Sequence, residues 1–276
     1  MGTFKTLALA GALAAAATMQ AQAADLAYPA PPPPPPPLQV VDVGGWYLRG
    51  DIGITNQQVR KLTNPLDANY NSVTTVYKNF DSSSLFGVGV GYKFNSWLRA
   101  DLTGEYRSRA NFHGQQIADG GAFGLNPDTY TGSKSEWLGM VNGYLDLGTW
   151  YGITPFVGAG IGFSRNTIHD FTDTSVTAQS VAFGKTRSKN GFAWALHAGL
   201  SYQVTPSFAV ELAYRYLNMG SGHTGDLIAA DGTNLVYNPT KFHNLTSNDI
   251  KLGVRWMLSD VSESALPPSV PLVRKY

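Results

Sequence analysis

The side chains of this 276-residue chain that could carry chemistry are five histidines, two glycine runs and a set of regularly spaced charges. The histidines are His113, His169, His197, His223 and His243, and no two stand at H-x-x-x-H spacing. The sequence therefore offers no helix face that would hold a metal. Ser201 follows His197 by four positions. Along an extended strand that is about 13 Å, too far for a base and its nucleophile. "GVGVG" (87–91) and "GAGIG" (158–162) lack the G-x-G-x-x-G spacing of a dinucleotide loop and read as period-two strand glycines. The chain has no cysteine, which excludes a disulfide framework and a thiolate metal site. The expectation is no catalytic residue, no cofactor and no metal. A net charge of +1 gives no reason to expect nucleic acid as a partner.

The charged residues are more informative. "LRADLTGEYR" (98–107) alternates without a slip, with four charges on one face and none on the other. Period two is the mark of a strand with two distinct faces. Seven further segments repeat the pattern: 46–55, 85–94, 136–147, 156–164, 192–204, 208–216 and 249–258. Counting the charged faces gives Arg49, Lys93, Arg99, Arg107, Arg215, Lys251 and Arg255 as bases. The acids are Asp51, Asp101, Glu105, Glu136, Asp146, Glu211 and Asp249. Seven against seven is a neutral set. A buried unpaired charge costs several kcal/mol, so a shared interior would require them to pair. Asp51 and Glu105 are candidate partners for Arg99. Glycines at 87, 89, 91, 158, 160 and 162 share these faces and would leave room for long arginines.

These segments set the architecture. Short links alternate with four segments of 25 residues or more (56–84, 108–135, 165–191, 217–248). Structureless loops beyond about 12–15 residues are uncommon in compact domains. Short turns at one end and long loops at the other are the pattern of an outer-membrane barrel. Aromatics at both ends of the apolar faces fit its interface girdles: Trp46, Phe94, Phe208 and Trp256, then Tyr106, Trp137, Phe163, Phe192 and Tyr216. Charged residues are only 14% of the chain, against about 25% in typical soluble domains. The spacing predicts an all-β, eight-stranded, antiparallel up-and-down transmembrane barrel, with short periplasmic turns, four long extracellular loops and apolar faces toward lipid. A lipocalin-like or sandwich core with the apolar faces inward is the soluble alternative, and the nearly all-ionic polar face argues against it.

Outside the barrel, residues 1–23 read as a secretory signal peptide, with "AQA" before the cleavage point. Residues 24–44 form a proline-rich periplasmic linker, 45–258 the barrel, and 259–276 a flexible periplasmic tail. The chain resembles the OmpA-like eight-stranded outer-membrane β-barrels, in particular the alphaproteobacterial surface-antigen, RopB-like "porin family" branch. The resemblance runs from Trp46 to Leu258. It is carried by "GWYLRGDIG", "FGVGVGYKFNSWLRADLTGEYR", "VNGYLDLG", "TPFVGAGIGFS", "AGLSYQVTPSFAVELAYRY" and "DIKLGVRWML". The last of these fits the family's assembly signal at Lys251, Gly253, Trp256 and Leu258. In the family that strand usually ends the chain, whereas eighteen residues follow here. The resemblance implies a cell outer membrane protein with both termini periplasmic and no enzymatic activity. Its expected role is structural, supporting the envelope and presenting surface loops. The alternatives are a narrow porin-like channel and a loop-mediated adhesin or ligand binder. Expected partners are outer-membrane lipid, lipopolysaccharide and the barrel assembly machinery, with peptidoglycan or a host surface as further options.

Overall fold

The computed structural model describes residues 44–258 except Leu235. The signal peptide, the linker up to residue 43 and the tail 259–276 lie outside the described residues. Twelve strands run in chain order as β1 (Gly45–Thr63), β2 (Ser72–Phe80), β3 (Ser83–Lys93), β4 (Leu98–Asp119), β5 (Leu125–Asp146) and β6 (Ile153–Ser175). They continue as β7 (Ser180–Gly184), β8 (Arg187–Thr205), β9 (Phe208–Asn218), β10 (Gly222–His223), β11 (Leu227–Ala229) and β12 (Lys241–Met257).

Every pairing is antiparallel, and the main path is β1–β3–β4–β5–β6–β8–β9–β12. β12 then returns to β1, in register from Tyr47↔Met257 to Thr63↔Lys241. The sheet is closed and has eight staves. β2 and β3 share one stave, because β2 pairs with the outer half of β4 (Phe80↔Phe112) and β3 with its inner half (Leu85↔Arg107). β7, β10 and β11 extend the sheet at the long-connection end. Each alternating segment of the sequence lies on its own stave.

The staves run much further than the sequence indicates. β4 and β5 have 22 residues each and β6 has 23. At about 3.3 Å per residue that is roughly 70 Å, while about 9–11 residues cross a bilayer. The four long excursions do leave from one end, yet most of their length is paired strand.

The cause is an inversion of polarity along each stave. On β12, Ile250, Leu252, Val254 and Trp256 point out, and Asp249, Lys251, Gly253 and Arg255 are buried inside. Further along the same strand His243 and Lys241 point out, and Leu245 and Phe242 are buried. β4 adds a phase slip. Its register shifts between Arg107 and Ala110, so inward positions change from odd to even numbers. A bulge of this kind re-aims every side chain beyond it. Asn244 sits at φ 53° on β12 and Asp170 at φ 49° on β6. Asp and Asn are among the few non-glycine residues that adopt this conformation readily.

The barrel thus has two tiers. The short-turn tier carries an apolar outer band, with exposed Trp46 and Trp256 at one margin and the Tyr106–Trp137 pair, its rings tilted at 49°, at the other. Phe208 and Tyr216, expected in the girdles, are only half-exposed. The outer tier is filled by an apolar core. Its centre is Phe80, Phe112, Phe171 and Phe242, with ring centroids 4.9 Å apart for Phe80–Phe112 and 5.0 Å for Phe112–Phe242.

Candidate functional site: the barrel interior

Alternation on eight closed staves sends the charged faces into one bore, where they form a single connected network. Its lower half centres on Glu211, which contacts Arg99 at 3.0 Å and Arg49 and Arg255 at 3.6 Å each. Arg49 also reaches Asp51 at 2.9 Å and Asp101 at 2.7 Å. Its upper half centres on Asp249 and Glu105. Arg215 lies 2.7 Å from Asp249 and 2.6 Å from Glu105, and Arg107 lies 2.9 Å from Asp249 and 3.2 Å from Glu136. Lys251 joins the halves, 3.3 Å from Asp51 and 3.5 Å from Glu105. Asp146 completes the set at 3.1 Å from Arg99.

Two sequence expectations need correction. Lys93 is not in the network. It is half-buried at the short-turn mouth and makes no ion pair among the described residues. Its place as seventh base is taken by Lys134, which is fully buried and ion-paired with Glu136. Neutrality survives the exchange, with seven bases and seven acids. Lys134 escapes the sequence pattern because the alternation of β5 is clean only from Glu136, and 108–135 reads as loop. Arg99 pairs with Asp146 and Glu211, not with Asp51 or Glu105. The contact to Glu211 joins β4 to β9, and no strand-neighbour rule reaches that far.

The inward glycines make room chiefly for other groups than arginine. A Cβ at Gly91 would strike the Tyr47 ring and one at Gly158 the Tyr144 ring, while one at Gly253 would meet the Asp51 carboxylate at 2.5 Å. Of the predicted six, only Gly89 abuts an arginine, with Arg49 Cγ at 3.0 Å. The tyrosines belong to the network. Arg49 donates to the Tyr144 hydroxyl at 3.0 Å, the Tyr47 hydroxyl donates to Asp101 at 3.2 Å, and the Arg99 guanidinium lies 4.5 Å from the Tyr144 ring centre. Such contacts give flat, weakly hydrated guanidinium groups further partners out of water.

The change from ions to apolar core is graded. The Gln57 amide donates to Glu136 at 3.3 Å and stands beside Thr55 and Ser83, whose hydroxyls are 3.1 Å apart. The Lys134 ammonium lies 5.0 Å from the Phe80 ring centre. Beyond Phe80 the interior is mainly apolar, and the buried Gln116 amide oxygen there accepts from the Tyr130 hydroxyl at 3.1 Å.

His197 is buried in the bore with its ring 5.4 Å from that of Tyr144. Ser201 instead accepts from Arg255 at 3.4 Å. Among the described residues no cluster of three or more His, Cys, Asp or Glu is placed to hold a metal ion. Of the assembly-signal residues, Lys251 and Gly253 face the bore, and Trp256 and Leu258 face outward. The Leu258 amide donates to the Trp46 carbonyl at 2.8 Å, at the seam between last and first staves.

The comparisons with known proteins agree with this architecture. The sequence model of the family described as "Outer membrane protein beta-barrel domain" matches residues 7–257. An uncharacterized protein of Brucella suis is 36% identical over 204 residues, covering 66% of this chain and 70% of its own. The outer membrane protein PagN of Salmonella typhimurium is 28% identical over 180 residues, covering 62% of this chain and 71% of its own. The outer membrane protein OprG of Pseudomonas aeruginosa shares the fold at a TM-score of 0.53 and 13% identity, over 78% of this chain and 97% of its own. With its closed eight-stave sheet, apolar outer band and ionic bore, the chain belongs to the outer membrane protein β-barrel family and is a protein of the Gram-negative outer membrane.

Proposed function

We propose that this protein is a structural barrel with a closed bore, which supports the envelope and carries a rigid extension to the cell surface. The observation that supports this reading is the double filling of the interior. A neutral network of fourteen charged side chains occupies the membrane tier, and an aromatic core occupies the tier above it. Eight strands leave an interior just wide enough for side chains. A solute would have to displace both fillings.

The partners this role calls for are outer-membrane lipid, lipopolysaccharide and the assembly machinery that reads the β12 end, with peptidoglycan or a host surface as contacts of the exposed regions. The test is a deletion strain. Loss of the protein is expected to raise sensitivity to detergent while leaving small-solute uptake unchanged. Reduced uptake with an intact detergent barrier would favour the narrow channel. Lost attachment to surfaces with both properties unchanged would favour an adhesin.

A further inference from the structure

Arg165 is the exposed outward neighbour of Phe163 on β6, at the upper margin of the apolar band. It stands in a cross-strand row with Tyr106, Trp137 and Asn190. Unlike every arginine in the bore, it has no ion pair or hydrogen bond among the described residues. Around it lies a groove of about 780 Å³ with no carboxylate in its lining. The groove is edged by polar groups already arranged in pairs: Ser135 and His169 at 2.9 Å, Thr167 and Ser188 at 2.9 Å. The nearby Asp170 is engaged by Arg109 at 3.4 Å.

A second groove of about 530 Å³ shares Tyr106 and Trp137 with the first and lies within the band. Its other walls include Phe86, Val88 and Leu252, and its floor includes Gly104, where an added Cβ would meet nothing within 4 Å. An unpaired guanidinium among hydroxyls and an amide fits a phosphate that also carries sugar hydroxyls. An apolar groove joined to it through two aromatic rings fits an acyl chain.

We propose that these two grooves form one binding site for a phosphorylated, acylated sugar lipid of the outer leaflet. Arg165 holds the phosphate and the surface over Gly104 holds a chain. The site is on the outer wall and does not depend on whether the bore is closed.

The test is titration of the folded full chain in detergent micelles with three probes, read by native mass spectrometry: lipid A, enzymatically dephosphorylated lipid A, and inorganic phosphate. Lipid A is expected to bind about tenfold or more tightly than its dephosphorylated form, the size of a charge-assisted contact. Arg165→Gln is expected to abolish that gap and Arg165→Lys to restore part of it. Gly104→Leu is expected to weaken both lipid forms, and inorganic phosphate to leave lipid binding unchanged. Folding of each variant is checked by its gel mobility before and after boiling. A gap that persists in Arg165→Gln overturns the proposal. Equal competition by inorganic phosphate overturns it in favour of a free-anion site. Unchanged lipid binding in Gly104→Leu also overturns it, because the site would then lack its acyl half.

Discussion

Replacing Arg107 by leucine removes one of the fully enclosed bases of the network. Its side chain is 0% exposed and touches Asp249, Glu136 and Glu105 at 2.9, 3.2 and 3.4 Å, and it donates to Ser247 at 2.6 Å. The variant leaves seven buried acids against six bases. Breaking a buried pair from one side costs roughly 3–5 kcal/mol, because the stranded charge stays out of water. Here each acid keeps another partner: Arg215 on Asp249 and Glu105, and Lys134 on Glu136. The expected loss is therefore at the lower end, about 3 kcal/mol. Lys93→Leu is the internal control. It removes a base with no ion pair among the described residues, so its expected cost is within about 0.5 kcal/mol. In the double variant Arg107→Leu/Asp249→Leu the cost is expected to fall short of the sum of the singles by roughly 0.5–3 kcal/mol. The assay is urea unfolding in lipid vesicles, followed by tryptophan fluorescence and by gel mobility without boiling. A loss below about 1 kcal/mol for Arg107→Leu, or an equal loss for Lys93→Leu, would refute the pairing scheme.

Other substitutions probe the two tiers and the outer rim. Leu102 is 58% exposed within the apolar band, so Leu102→Arg is expected to cost about 2–4 kcal/mol and Leu102→Phe to be accepted. Equal losses in the same unfolding assay would mean that Leu102 packs against protein. Phe112→Ala opens a cavity between Phe80 and Phe242 and is expected to cost about 3–5 kcal/mol. An unchanged urea midpoint would mean that the outer tier contributes nothing to the fold. Burial and the neighbouring Asp128 push the Asp173 carboxyl up from 3.8 to about 7. The folded chain then holds a proton that the unfolded chain releases, so this group's stabilisation is complete below about pH 4 and is lost as pH rises through about 7. Subtracting the midpoint-versus-pH curve of Asp173→Asn isolates the effect, and a difference that grows with rising pH would contradict it.

The membrane tier was legible because one physical constraint acts on it everywhere. Lipid outside and charge inside give the cleanest alternation a strand can show, as in Leu98–Arg107. The outer tier obeys the opposite constraint, with water outside and Phe112, Phe171 and Phe242 inside. A reader who assigns charge to the bore therefore loses the strand where the assignment inverts. The slip at Ser108 and Arg109 hides the continuation of β4 as well. Lys134 and Lys93 show the consequence for the network. Lys93 is the last residue of β3, at an open mouth, whereas Lys134 stands midway along β5, where the ionic and aromatic fillings meet. Which acid meets which base was not legible, because contacts such as Arg99–Glu211 and Arg107–Asp249 depend on the curvature of the closed sheet and on side-chain length. The Arg165 grooves are not legible for a related reason, since they form from a row crossing four staves and no single segment contains them.

The central claim is that the bore is closed, and the conductance of the purified, refolded protein in a planar lipid bilayer tests it most directly. With the ionic network and the aromatic core both in place, insertion is expected to leave the bilayer at its baseline conductance. Phe112→Ala should stay there too, because the network beneath it remains. Large, steady conductance steps from the unmodified protein would contradict the account and assign it to the channels.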